Sequence, residues 1–334
     1  MTCGFVVNKE DPSVLSQSKL GKGGFGEVWR YEVQRGERIL SVAVKFMNFD
    51  LQKLDGVKGL ILFWNEWLCM SNFSKCFLVK TIGMSTEPEL PKLVKDKLTK
   101  YVATNGASSD PFLQVELVSC LQTYGLRRAI KTRLFMECFE GRNLAECLLD
   151  RTWTMDVDRF REISARAILG VSELHESQMI HNDLKPPNFL LRDDGFLKIC
   201  DFGAMTHQDY QAMRYGYTPV FVSPERERGA PATTKSDIFS LGVTLGALVS
   251  LKLGLVTRRQ KSEIEEILFA MTHPDPTVRP SAINLTKYGF FRGYDWERLR
   301  FEAERESERK SGQAAADDFD GPGEGHGRRM AIRR

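Results

Sequence analysis

The sequence predicts an α+β protein of two lobes, an antiparallel sheet carrying one helix and then a mostly helical part. Three observations predict it. Between residues 20 and 45, short β-branched and aromatic runs alternate with glycine-containing turns, as hairpins do. Beyond Gly141 the apolar residues recur at helical spacing. The length, 334 residues, accommodates about two compact units at roughly 150 residues each.

Taken in order, residues 1–13 form an extension and 14–139 the first lobe. Strands are predicted at 27–33, 39–46, 77–84 and 132–137, and the stripe Leu60, Phe63, Trp64, Trp67, Met70 predicts one helix among them. Residues from about 85 to 131 read as an insertion, partly helical and partly mobile, with a lysine-rich 92–100 and a loop-like 104–111. It either regulates or decorates the lobe. The second lobe, 140–294, has predicted helices at 143–149, 157–177, 236–251 and 262–272. A last helix, 295–311, carries the pairs Glu302/Arg305 and Glu306/Lys310 on a solvated face. Residues 312–334, with five glycines, an acidic cluster and four terminal arginines, read as a disordered tail, a basic docking signal being the alternative.

Composition excludes several classes. With 42% hydrophobic and 27% charged residues the chain is neither collagenous nor wholly disordered. A net charge of +3 is too balanced for general attraction to nucleic acid, so no nucleic-acid partner is expected. Seven scattered cysteines with no CxxC pair argue against a disulfide framework or structural zinc and for a reducing compartment, cytoplasmic or nuclear. Residues 1–9 lack a signal-peptide core, and Thr2 is not the glycine that N-myristoylation needs. The longest uncharged apolar stretch, 238–251, falls short of the ~18 residues of a membrane span and reads as a buried helix.

The chemistry is concentrated in five places. Gly21-Lys22-Gly23-Gly24-Phe25-Gly26-Glu27-Val28 joins two strand-like runs, where glycines let a hairpin close on phosphates. A Rossmann turn is disfavoured because a strand follows it, and a plain glycine-rich hairpin stays open. Lys45 ends the apolar strand Val42-Ala43-Val44, which puts its ammonium under that hairpin. Glu66, on the striped helix, is its candidate counter-charge, a solvent-facing glutamate being the other possibility. In 181–188, Asp183 is the candidate to orient and deprotonate an attacking hydroxyl, and Lys185 to neutralise a transferring phosphoryl group. Asn188 and Asp201, the latter in Asp201-Phe202-Gly203, supply oxygen ligands for Mg²⁺.

This spaced set resembles the eukaryotic protein kinase family from about residue 20 to 291, with Ser223-Pro224-Glu225, Asp237 and Arg279 following in family order. The resemblance implies a bilobal protein-kinase-like fold and transfer of the ATP γ-phosphate, with Mg²⁺ or alternatively Mn²⁺, to Ser/Thr hydroxyls of a protein substrate. Monomer is the default. It further implies that Leu20, Gly21, Lys22, Gly23, Gly24, Phe25, Gly26, Val28, Ala43, Lys45, Met136, Glu137, Phe139 and Leu190 bind ATP. By the same resemblance Met136 would stand at the back of the base pocket, and the backbone from Glu137 to Phe139 would meet the adenine. Lys185 with Thr218 matches the Ser/Thr pattern. Glu225 and Arg279 would form a buried ion pair, Asp237 would anchor the catalytic-loop backbone, and His181 and Phe202 would be structural.

Three departures stand out. Asn182 replaces the arginine usual before the catalytic aspartate, a non-RD loop, so activity is expected not to depend on phosphorylation between Thr206 and Thr218. Arg279 follows Asp237 unusually closely, and 253–261 is too short and basic for a full substrate-docking helix. The insertion is the third. A pseudokinase scaffold is the alternative function, with Asn182 and the short C-lobe its only support. A small-molecule kinase would lack the Pro-Glu motif, Thr218 and Arg279. Neither basophilic nor proline-directed specificity is supported, given Pro187 and Val222. Cys200 is either reactive or a buried small hydrophobe.

Overall fold

The computed structural model describes residues 13–23, 26–71, 75–105, 111–126, 129–208 and 218–317. β1 (Val14–Gly23), β2 (Gly26–Arg35) and β3 (Arg38–Asp50) form an antiparallel meander. Alternation puts Tyr31, Val33, Val42 and Val44 on one face with Phe135. Met47 and Phe49 face the other way, against Val57, Leu60 and Phe63 of α1 (Leu54–Ser71). β4 (Thr81–Glu87), α2 (Lys92–Asn105) and α3 (Pro111–Thr123) come next, and β5 (Ala129–Glu137) then enters between β3 and β4. The sheet order is β1-β2-β3-β5-β4.

The predicted strand 77–84 is divided in the structure. Val79 donates to Ile199 O and Ile199 to Phe77 O, so the first part pairs with the second lobe, and β4 begins only at Thr81. The insertion is also shorter than the predicted 85–131, because the sheet claims both of its ends. Its helices share a core with α1: Val94, Leu98, Tyr101 and Leu121 are buried with Leu60, Ile61 and Trp64. α2 extends through Asn105 and α3 starts at Pro111, which narrows the predicted loop to residues outside the described set.

The second lobe opens with β6 (Arg142–Asn143) and α4 (Leu144–Leu149), whose capping box joins Asn143 and Glu146. α5 (Val157–Glu176), capped by Asp156, is the buried axis of the lobe. Then follow β7 (Met179–Ile180), a 3₁₀ turn at Pro186–Asn188, β8 (Phe189–Leu191), β9 (Leu197–Ile199) and β10 (Thr206–His207). After α6 (Pro224–Glu227), α7 (Thr234–Lys252) occupies the apolar stretch, with Ile238, Leu241, Leu245 and Leu248 buried. A Cβ at Gly242 would lie 2.7 Å from Met271 Cβ, so glycine here permits the close approach of α8 (Arg258–Met271). α9 (Ala282–Leu285) and α10 (Trp296–Asp317) complete the described residues.

Two helix ends differ from the sequence prediction by more than two residues. α8 starts at Arg258 rather than 262, because Thr257 and Gln260 cap a first turn that carries no apolar residue. α10 runs to Asp317 instead of stopping at Ser311, Ala314, Ala315 and Ala316 being the strongest helix formers. The rest of the predicted tail, 318–334, lies outside the described residues.

Candidate active site

Register in the sheet sets the upper wall of the cleft. Val28 and Leu134 lie opposite Lys45, and Met136 lies opposite Ala43, so these side chains share a face. Met136 packs where the cores of the two lobes meet. At the hairpin, Gly21 pairs with Val28, Lys22 with Glu27 and Gly23 with Gly26. Gly26 has φ 151°, and a Cβ there would fall 2.0 Å from Phe46 O, so no other residue fits. Leu20 and Lys22 are exposed. Gly24 and Phe25 lie outside the described residues.

α1 brings Glu66 under the sheet. Lys45 Nζ donates to both Glu66 oxygens at 3.0 Å and to Asp201 Oδ1 at 2.8 Å. Burial disfavours the Lys45 ammonium, yet the two carboxylates outweigh it and hold its pKa above the ordinary lysine value. The charge of Lys45 holds the Asp201 carboxyl below the aspartate value, whereas burial pushes Glu66 up, against Lys45. One cation thus serves two acids, and Asp201 keeps its negative charge most firmly.

The loop after β7 supplies the lower wall. Lys185 Nζ lies 2.7 Å from Asp183 Oδ2 and donates to Thr218 Oγ1 at 3.2 Å. Burial raises the Asp183 pKa, and the hydrogen bond from Lys185 opposes that rise. Asn188 Nδ2 donates to Asp183 O at 2.7 Å and to Oδ2 at 3.3 Å. Asn188 O accepts from Cys200 N, which sets Asn188 beside Asp201. With its nitrogen committed to Asp183, the Asn188 amide can offer a cation only its oxygen. That oxygen and the ionised Asp201 carboxylate are hard donors of the kind Mg²⁺ takes, so the residues fit the ion.

Supporting contacts fix these loops. Asp237 accepts from the backbone N–H of His181 at 2.7 Å and of Asn182 at 3.0 Å, and its Oδ2 is 3.0 Å from His175 Nε2. His181 Nδ1 accepts from Asp183 N at 3.3 Å, which leaves Nε2 to donate to Cys200 O at 3.2 Å. The His181 and Phe202 rings lie 5.4 Å apart. Arg279 meets Glu225 in a two-pronged pair, both bonds 2.7 Å, and also donates to His273 O and Lys235 O. Burial pushes the Cys200 thiol well above the usual cysteine range, which makes it a poor nucleophile.

At the segment joining the lobes, Glu137 N donates to Lys80 O at 2.9 Å, so that N–H is not available to a base. The Glu137 carboxylate pairs with buried Lys198. Phe139 turns its ring into the second-lobe core toward Phe196, and Leu190 is half-buried on β8. Sequence reasoning passed over Lys198, His175 and Asn65, whose Nδ2 donates to Met205 O at 2.7 Å. The only advance signal for Asn65 was an amide set between Trp64 and Glu66 on the buried stripe.

The family model of the protein kinase domain matches residues 15–287, and the chain belongs to that family. It is 30% identical to mitogen-activated protein kinase kinase 1 of Arabidopsis thaliana over 212 residues, 61% of this chain and 57% of that protein. Against a MAP kinase kinase of Saccharomyces cerevisiae the identity is 29% over 184 residues, 53% of this chain and 34% of the relative. A 3-phosphoinositide-dependent protein kinase 1 of Arabidopsis thaliana shows 26% over 244 residues, 62% and 49% of the two chains. The chain thus spans 34% to 57% of the length of these relatives. Among the described residues no helix is long and apolar enough to cross a membrane.

Proposed function

We propose that the chain is a protein kinase that transfers the γ-phosphate of ATP to Ser or Thr hydroxyls of protein substrates. The observation that carries this reading is the convergence of Lys45, Glu66 and Asp201 with Asp183, Lys185 and Thr218 on one cleft. Support also comes from three relatives named as kinases.

In this reading Asp183 holds the substrate hydroxyl in line with the γ-phosphorus and takes its proton as the new O–P bond forms and the bond to the ADP oxygen breaks. Lys185, donating to Thr218, sits beside that carboxylate and meets the charge on the transferring group. Lys45, held by Glu66, binds phosphate oxygens under the glycine hairpin. Asn188 and Asp201 would hold Mg²⁺, which neutralises phosphate charge when bound. The six free cysteines described favour a reducing compartment, cytoplasm or nucleus.

The test is phosphate transfer from labelled ATP to a degenerate peptide library, with wild type and Asp183→Asn side by side. Wild type is expected to label Ser and Thr peptides, and Asp183→Asn to lose on the order of 10²- to 10⁴-fold in rate while still binding nucleotide. Equal signals from the two proteins would remove the proposal.

A further inference from the structure

We propose that Asn65 and Asn182 are positioning residues for the transfer step: two neutral amides, one from each lobe, that clamp the backbone after Asp201 without any added charge. The inference rests on the kinase reading above, since it concerns how Asp201 is held for its task.

The backbone at this point needs holding. Asp201 has φ 62° and Asn182 φ 68°, left-handed conformations that are uncommon outside glycine and that Asn and Asp adopt most readily among the other residues. Three of the four residues after Asp201 then find partners. The backbone N–H of Phe202 lies toward Glu66 and favours its ionised form. Asn182 Nδ2 donates to Ala204 O at 3.0 Å, and Asn65 Nδ2 to Met205 O at 2.7 Å. Past them, Thr206 and His207 pair with Ile180 and Met179 of β7.

Both amides are built for donation. Asn65 is 2% exposed, and Cys69 Sγ, one turn on, donates to its Oδ1 at 3.6 Å, which turns the NH₂ group toward Met205. Among the described residues Asn182 Oδ1 is buried with no hydrogen-bond partner. Leaving an oxygen unsatisfied is a cost that a residue kept for packing alone would avoid, so the N–H contact to Ala204 is what the position uses. Asn65 adjoins Glu66 on α1, so the helix that holds Lys45 also holds Met205. Asn182 adjoins Asp183, so the loop that holds the proton acceptor also holds Ala204. The clamp therefore ties the proposed base, the Lys45 pair and Asp201 into one unit. Uncharged donors do this in any phosphorylation state of residues 206–218.

The test compares wild type, Asn65→Ala, Asn182→Ala, the double variant and the isosteric Asn65→Asp and Asn182→Asp. Hydrogen exchange of the 200–208 amides is followed in nucleotide-free protein, and kcat and KM for ATP are measured on a library-derived peptide. Each single variant is expected to speed exchange in 200–208 about tenfold, the loss of one buried hydrogen bond, with α5 and α7 unchanged. It should also lower kcat roughly 10- to 100-fold at unchanged KM for ATP, as misplacement of a reacting group does. The double variant should lose less than the product of the single losses, since both amides hold one segment. The Asp variants, which preserve shape and turn an acceptor toward the carbonyl, should shift both readouts in the same direction.

Phosphatase-treated wild type should keep its kcat. Unchanged exchange in 200–208, wild-type kcat in either Asp variant, a kcat loss matched by an equal loss of folded protein, or activity abolished by phosphatase each overturns the clamp. Failure of the kinase reading is distinguishable: wild type would then transfer no more than Asp183→Asn, while the exchange measurement still reports on the clamp.

Discussion

Asp183 shows how one residue's environment sets a measurable property. Its carboxylate is pushed toward the protonated form by burial and pulled back by Lys185, 2.7 Å away. A base must be ionised to take a proton, so kcat should rise with pH through the Asp183 pKa, and the acid limb should lie above the ordinary aspartate value of about 3.9. Lys185→Met removes the cation that favours the ionised form, so it should lower kcat and move the acid limb to higher pH. The check is kcat against pH for both proteins. A limb that stays in place or moves to lower pH contradicts the assignment of Asp183 as base. Residues of this kind were legible in the sequence because their side chains carry the chemistry: Lys45, Asp183 and Asp201 are charged groups in recognisable surroundings. Asn65 was not, because its partner is a backbone carbonyl 140 residues away, and carbonyls are the same at every position.

Among elements, α1 has two working faces. One carries Asn65 and Glu66 into the cleft, and the other is buried by the insertion, where Trp64 Nε1 donates to Thr99 Oγ1 at 3.0 Å. Leu98 of α2, 0% exposed, fills that second interface. Leu98→Ala should cost about 2–5 kcal/mol, as buried leucine truncations do, and should also lower kcat by loosening the helix that carries both cleft residues. Urea denaturation measures the first effect and peptide phosphorylation the second. An unmoved midpoint would show that α2 contributes nothing to the α1 core. Helices with a strong apolar stripe, α1 and α5, could be read from periodicity, and α7 from its unbroken apolar run. The first turn of α8 could not, because Arg258-Arg259-Gln260-Lys261 offers no stripe and Thr257 supplies its stability as a cap. The last turns of α10 were misread because Gly312, a cost of about 1 kcal/mol in a helix, masks the three alanines that follow.

At the scale of the whole molecule, α10 joins parts far apart in the chain. It buries Leu299 and Ala303 and sets Glu302 2.8 Å from buried Arg166 of α5 and Glu306 2.8 Å from Arg192 after β8. Ser307 and Glu304 of the same helix lie within electrostatic range of Cys76, whose thiol burial pushes above the usual cysteine value. Cys76 precedes Phe77, the residue that bonds to β9 just ahead of Asp201, so α10 lies behind the junction of the two lobes. Ending the chain at Tyr294 removes these contacts. The lost burial of Leu299 alone is worth about 2–5 kcal/mol, and the denaturation midpoint should fall accordingly. The Cys76 thiol, no longer covered, should return toward the ordinary pKa of about 8.5 and react faster with N-ethylmaleimide near neutral pH. Cys147 and Cys200 lie inside the second lobe and beside Lys45, so their rates should change little by comparison. Peptide mapping of alkylation over time separates the three thiols. Equal acceleration at all of them would mean that truncation loosens the whole lobe, and no acceleration at Cys76 would mean that α10 does not cover it.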